Sequence, residues 1–247
     1  MQTRLDLPSD LPPVRDRLRA VFGALEPPER RMDPVSQLIR AVLGSRTYDE
    51  VAWAAFFRLQ QAYPDWQGLG QATADEIEPI IDPVTFADQK ARQLPVLIRL
   101  ITVRRGGLEL DFLADDPVEE AMFWLVQLNG VGVKCAAATL NFSRLNRPAM
   151  VVDGHVHRVA RRLGLTSRTG DETGTYHALM EQAPAGWAAE DFLELHRLVK
   201  SHGQSICSHF DPACGLCALR DLCPRVGVTA DQAAQVLSFR PQTRPEA

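Results

Sequence analysis

The stretch Leu128-Asn129-Gly130-Val131-Gly132-Val133-Lys134-Cys135-Ala136-Ala137-Ala138-Thr139-Leu140-Asn141 decides how the rest of the chain is read. Ahead of it, Val118 to Leu128 carries Met122, Leu125 and Leu128 at helical spacing, and a second helix is predicted to begin near Val133. Between the two, glycines separated by one residue permit a tight hairpin. They also leave backbone N–H groups uncovered at the start of the second helix, where hydrogen bonds and the helix dipole attract phosphate. A G-x-G pair more often only turns the chain, and Lys134 taken alone is a solvated helix cation, so the neighbouring segments must arbitrate.

Upstream, Asp33-Pro34 joins a helix cap to a proline at the first helical position, and Val35, Leu38, Ile39, Val42 and Leu43 follow at helical spacing. Glu50 to Ala62 continues helically with Val51, Trp53, Ala54, Phe57 and Leu59 as its apolar members, and Thr73-Ala74-Asp75-Glu76 is a capping box ahead of Ile77, Ile80 and Ile81. Gln89 to Ile101 is a helix expected to bend at Pro95, and Asp116-Pro117 repeats the cap-plus-proline signal. About six short helices are expected before residue 150. The proline-rich opening up to Pro13 and the final PQTRPEA read as extensions.

Downstream, Val151-Val152-Asp153-Gly154-His155-Val156-His157-Arg158 brings a carboxylate along an apolar, strand-like approach to the start of a helix spanning His155 to Leu163. An aspartate there is first of all an N-cap. Tyr176 to Gln182 and Glu190 to His202 are further helices, the latter with Phe192, Leu195, Leu198 and Val199 on one stripe. Cys207, Cys214, Cys217 and Cys223 then follow as C-x6-C-x2-C-x5-C. Such a set suits one soft metal centre. The spacing favours iron–sulfur over zinc, because only Cys214 and Cys217 form the short knuckle that zinc sites usually use in pairs. Cys135, far from that run, reads as a small buried residue.

Composition sets the outer limits. The 247 residues, 45% hydrophobic and 23% charged, suffice for one large domain or two small ones. Helix formers dominate and sustained Val/Ile/Thr alternation is missing, which predicts an all-α protein. The first residues lack an apolar signal core and no run approaches ~20 uncharged apolar residues, so no membrane partner is expected and a reducing, cytoplasmic setting is. There, clustered cysteines suggest metal ligation. A net charge of −4 argues against nucleic acid, yet from Asn129 to Arg168 seven cations face the single carboxylate Asp153.

The order of helix, glycine hairpin, lysine, aspartate before an Arg/His-rich helix, and four cysteines resembles the endonuclease III family of helix-hairpin-helix DNA glycosylases. The likeness runs from about Pro34 to Cys223 and is carried by LNGVGVKCAAATLN at 128–141, VVDGHVHRV at 151–159, LHRLVKSHGQSIC at 195–207 and the cysteine spacing. The resemblance implies a bilobed all-helical fold: a six-helix barrel over 31–147 with its hairpin at about 117–142, an iron–sulfur domain from 1–30 and 148–224, and an extension over 225–247. It further implies a [4Fe-4S] cluster on Cys207, Cys214, Cys217 and Cys223. Lys134 would be the nucleophile and Asp153 its acidic partner. Gly130, Val131 and Gly132, with Arg46, His155 and Arg158, would meet DNA, and Asp49 would lie by the base pocket. The implied activity is removal of oxidised pyrimidines from damaged double-stranded DNA through a lysine Schiff base, with strand nicking by β-elimination, in a monomer.

This sequence also departs from the family. Arg46 stands in place of a glutamine, Thr85-Phe86-Ala87 in place of a Gly-Leu/Phe-Tyr loop, Asn129 in place of the hairpin proline, and Gly154 in place of threonine. The segment from Cys207 to Cys214 has no Lys or Arg, where the family has a basic loop. These changes keep two alternatives open: a weakly active or noncatalytic DNA-binding or redox-sensing relative, and a glycosylase of different lesion preference.

Overall fold

A computed structural model describes residues 10–26 and 28–229. The terminal PQTRPEA, and most of the extension assigned to 225–247, lie outside them. Ten α-helices and no strand occur among the described residues, and none of these helices is long and apolar enough to cross a membrane. The chain divides into two compact units.

One unit comprises residues 28–151 and 188–193. It holds α2 (Pro34–Leu43), α3 (Asp49–Ala62), α4 (Ala74–Ile81), α5 (Ala87–Arg105), α6 (Val118–Val126) and α7 (Val133–Phe142). The caps read from sequence form as expected in two cases: Asp33 accepts from the Ser36 amide at 2.9 Å, and Thr73 and Glu76 close a reciprocal capping box. In α2 every residue except Arg40 is buried, as an apolar helix surrounded by α3, α5 and α7 requires. Each fully buried leucine or isoleucine there, such as Leu38, Ile39 or Leu43, contributes about 1.5–3 kcal/mol of transfer free energy. Residues 188–193 belong to this unit because buried Asn141, at the end of α7, donates to the Ala189 carbonyl at 2.9 Å and Asn146 donates to Glu190.

The other unit comprises residues 10–26, 152–187 and 194–229. It contains α1 (Leu11–Phe22), α8 (Gly154–Arg162), α9 (Glu172–Gln182) and most of α10 (Ala189–Ser205), which begins in the first unit. Arg19 forks onto the Glu194 carboxylate and ties α1 to α10. Arg17 reaches the Ala218 carbonyl and Asp221 beside the cysteines.

Four expectations are corrected. Pro12 and Pro13 do not lie in an extension; they sit in the first turn of α1, where the missing N–H costs nothing. In α3 the buried stripe is Ala52, Ala55, Phe56 and Leu59, whereas Trp53 and Phe57 stack on one another at the surface, with the Arg40 guanidinium 4.4 Å from the Trp53 ring centre. Asp116 does not cap α6: Pro117 takes the N-cap position, without any side-chain cap bond, and Asp116 instead offers its carbonyl to Arg147. The approach to Asp153 is buried but forms no strand.

Candidate functional site

The hairpin is built by backbone bonds from Leu128 N–H to Leu125 and from Val131 N–H to Leu128, at 3.0 and 3.1 Å. Gly130 turns the chain at φ +80°, and Val131 is buried between the two exposed glycines. Gly132 is the N-cap of α7 and has no side chain to cover the first amides, while no acidic residue occupies the first turn. The positive end of α7 is thus presented uncovered, as an anion site requires.

Lys134 is the second residue of α7. Its ammonium donates to the Gly44 carbonyl at 3.3 Å, just past the end of α2. A second lysine, Lys90 of α5, meets the same helix end: it donates to the Leu43 and Ser45 carbonyls at 2.9 and 2.7 Å and to Thr47 Oγ1 at 3.1 Å. Burial pushes the Lys90 amine down to about 8. Sequence reading passed over Lys90, because a lysine at the start of a helix signals solvent unless its neighbours in space are known. Arg46, in the loop between α2 and α3, is exposed with φ 55°, and Asp49 at the start of α3 pairs with Arg40 at 3.5 Å. Cys135 is buried, with its thiol toward the Ala41 carbonyl.

In the other unit, Asp153 caps α8: Oδ1 accepts from the His155 and Val156 amides, both at 2.9 Å. Burial alone would raise its carboxyl, but the charges of His196, Lys200 and His155 and the Val156 amide outweigh burial and hold it below the usual carboxylate range. Lys200 Nζ lies 4.0 Å from Oδ2. His196 and Lys200, four apart on α10, were missed from sequence; the i, i+4 spacing was the available signal. Farther along α8, Arg158 is turned onto the Gly203 and Cys207 carbonyls at 2.7 and 3.0 Å and meets His155 Nδ1 at 3.1 Å. The cations that crowd residues 129–168 are therefore largely engaged: besides Arg158, Arg144 pairs with Asp111 and Arg147 braces the Ala114 and Asp116 carbonyls.

The last residue of α8, Arg162, grips the cysteine loop. Its guanidinium donates to Cys207 Sγ at 3.1 Å and to the Ser208 and His209 carbonyls at 2.6 and 2.9 Å, and its own carbonyl accepts from the Cys223 thiol at 3.1 Å. Cys207, Cys214, Cys217 and Cys223 line one cavity with Arg162 and His202. Burial, with mutual repulsion among the sulfurs, raises the Cys214 and Cys223 thiols and takes Cys217 to about 11. Amides of Leu219 and Arg225 nevertheless point at the Cys217 and Cys223 sulfurs, both at 3.4 Å. Grouped sulfurs that resist ionisation alone, yet have N–H donors aimed at them, fit a soft metal group that supplies the compensating positive charge. Among the described residues, no three or more His, Cys, Asp or Glu side chains are placed to hold a single metal ion.

Residues 39–185 match the family described as HhH-GPD superfamily base excision DNA repair protein. Fold and hairpin thus define a helix-hairpin-helix protein of the base excision repair class. "Endonuclease III" of Thermotoga maritima is 31% identical over 212 residues, which cover 85% of this chain and 92% of that protein. "Endonuclease III homolog 1, chloroplastic" of Arabidopsis thaliana is 31% identical over 82% of this chain, which spans about half (51%) of that plant relative. The solved structure "Structure of a non-covalent Endonuclease III-DNA Complex" has the same fold, with a TM-score of 0.72 at 24% identity, covering 91% of this chain and 97% of that one. A thermostable thymine-DNA glycosylase shares the fold at a TM-score of 0.66 and 18% identity, covering 87% of this chain and 96% of that one. The chain belongs to the endonuclease III family.

Proposed function

We propose that this chain is a base excision repair DNA glycosylase with AP lyase activity, acting as a monomer on damaged double-stranded DNA in the cytoplasm, with Lys134 as nucleophile and Asp153 as its acidic partner. The observation that carries the reading is the setting of Lys134: an amine in the first turn after the glycine hairpin, held by a single carbonyl bond of 3.3 Å. A nucleophile needs such a loose tether, since it must leave its resting partner to reach the sugar.

The damaged nucleotide is first extruded from the stack so that its C1′ is accessible. The uncovered amides at the start of α7, which follow the Gly130-Val131-Gly132 turn, hold a backbone phosphate, and His155, Arg46 and Arg158 lie in segments that adjoin the DNA. The Lys134 amine, after giving up its ammonium proton to solvent, attacks C1′ and the C1′–N bond breaks, with the electron pair leaving on the base, which takes up a proton. Loss of a proton from nitrogen and opening of the sugar give the Schiff base. Removal of a C2′ proton then expels the 3′ phosphate and nicks the strand. Asp153 is ionised at neutral pH. Its Oδ1 is committed to the cap of α8, which leaves Oδ2 as the oxygen available to offset positive charge developing on the sugar and to accept a proton.

Cys207, Cys214, Cys217 and Cys223 would hold a [4Fe-4S] cluster, which supplies a compact, soft centre able to fix the surrounding loop and to exchange electrons. Oxidised pyrimidines are the proposed lesions, with Asp49 by the base pocket. Arg46 offers donors only, which favours acceptor-rich faces of the orphaned partner base. Borohydride reduction during reaction with an abasic duplex should trap a covalent adduct in the wild type and none in Lys134→Ala; equal yields would exclude Lys134 as the nucleophile. Duplex binding without release of any base from a damage panel would instead select the noncatalytic reading.

A further inference from the structure

Two ammonium groups share the carbonyl end of α2, and they share it unequally. Such a helix end leaves carbonyls without intrahelical donors and carries partial negative charge. Lys90, only 5% exposed, takes the Leu43 and Ser45 carbonyls, which lie on either side of the Gly44 carbonyl used by Lys134. Its third proton goes to Thr47 Oγ1, so the ammonium is saturated, without a carboxylate among its hydrogen-bond partners. Thr47 Oγ1 in turn donates to the Ser45 carbonyl and accepts from the Thr85 amide, both at 3.2 Å. One buried cation therefore pins two loops, those carrying the left-handed residues Arg46 and Phe86. Burying an ammonium is costly, and a methionine would fill the same space with less desolvation.

We propose that Lys90 is a positioning residue for Lys134: by occupying the Leu43 and Ser45 carbonyls it confines the Lys134 amine to Gly44 and fixes the loop on which that amine rests. This rests on Lys134 being the attacking amine. With Lys90 removed, three neighbouring carbonyls at the negative end of α2 stand open to the one remaining ammonium. Lys134 then gains partners, sinks into the helix end, and is withdrawn from the sugar. Lys90 is not itself the nucleophile, since all three of its protons are engaged and its side chain is buried.

The test compares full-length wild type, Lys90→Met and Lys90→Arg. Acetylation of Lys134 by acetic anhydride, read by peptide mass spectrometry on DNA-free protein, reports the accessibility of the amine without any reaction on DNA. Single-turnover borohydride trapping on an abasic duplex reports attack, and anisotropy reports duplex affinity. Lys90→Met should slow both Lys134 acetylation and trapping by about 10- to 100-fold, up to the scale of a misplaced reacting group, with affinity within about threefold of wild type. Lys90→Arg, which keeps charge and donors, should recover part of both losses. Unchanged Lys134 acetylation in folded Lys90→Met protein overturns the proposal, as does a trapping loss matched by an equal loss of affinity. If Lys90→Met fails to fold, Thr47→Val, which removes one of the three acceptors, reads the same quantities in the same direction. Should Lys134→Ala trap as well as wild type, the nucleophile assignment fails separately, while the acetylation arm still decides whether Lys90 positions Lys134.

Discussion

Asp153 has two separable roles, and substitution can pull them apart. Its Oδ1 caps α8 through two amide bonds of 2.9 Å, and its Oδ2 lies 4.0 Å from Lys200. Asparagine caps a helix about as well as aspartate, so Asp153→Asn keeps the cap and forfeits only the charge, which is buried and faces His196, Lys200 and His155, a loss on the order of 1–3 kcal/mol, between the exposed and buried ion-pair limits. Asp153→Ala also loses the cap, a further ~1 kcal/mol. For a chain of this size each kilocalorie lowers the melting temperature by about 2–4 °C. Base release, in contrast, should fall by at least about 10²-fold in both variants, the usual worth of a positioned acid–base group. The pH dependence has a definite sign. The folded carboxyl lies below its unfolded value, so its stabilisation is present above about pH 3.9 and fades as pH falls through the folded value. The stability gap between wild type and Asp153→Asn should therefore close in acid. Melting by circular dichroism from neutral pH downward, beside single-turnover base release, checks both parts. Full activity in Asp153→Asn, or equal melting of the asparagine and alanine variants, would refute the reasoning.

Three other outcomes are expected. Protein purified without oxygen should be brown, with broad visible absorbance that Cys217→Ala abolishes; a colourless zinc protein would exclude the iron–sulfur assignment. Gly130→Ala should cost about 1–2 kcal/mol because it forces a side chain into φ +80° with its Cβ 2.9 Å from Gln93 Oε1, whereas Gly132→Ala, at ordinary φ and in open space, should melt within about 1 kcal/mol of wild type and show its effect in duplex affinity by anisotropy. Gly203→Ala places a Cβ 3.0 Å from His155 Cβ and 3.4 Å from Arg158 Nη2, and should destabilise by about 1–3 kcal/mol in chemical denaturation.

What could be read from the sequence was local. Asp33-Pro34 and the Thr73–Glu76 box announce helix starts because cap and helix lie within four residues, and Gly130 carries its own backbone requirement at φ +80°. Asp116-Pro117 looks the same as Asp33-Pro34 and behaves differently, since the helix begins one residue later and Arg147 takes the Asp116 carbonyl. The apolar face of α3 was misjudged because Trp53 and Phe57 satisfy each other and Arg40 at the surface, an arrangement hydrophobicity alone does not encode. Lys90 and Arg162 were illegible for a related reason: each is a cation whose partners are 43 or more residues away in sequence and are chiefly backbone carbonyls, which no side-chain pattern reveals.

The interleaving of the two units has a consequence for biosynthesis. The long stretch 28–151 is contiguous and can begin to pack once it leaves the ribosome, whereas the unit bearing the four cysteines is assembled from three separate segments. Its last thiol, Cys223, is 72 residues beyond residue 151, on the order of ten seconds of synthesis. During that interval α1 awaits Glu194 and α8 awaits the loop that Arg162 will grip. Loading of the proposed cluster would therefore be a late event, competing with oxidation and proteolysis of an unfinished half, and limited proteolysis of protein expressed in iron-starved cells should then leave the contiguous helical unit outlasting the rest.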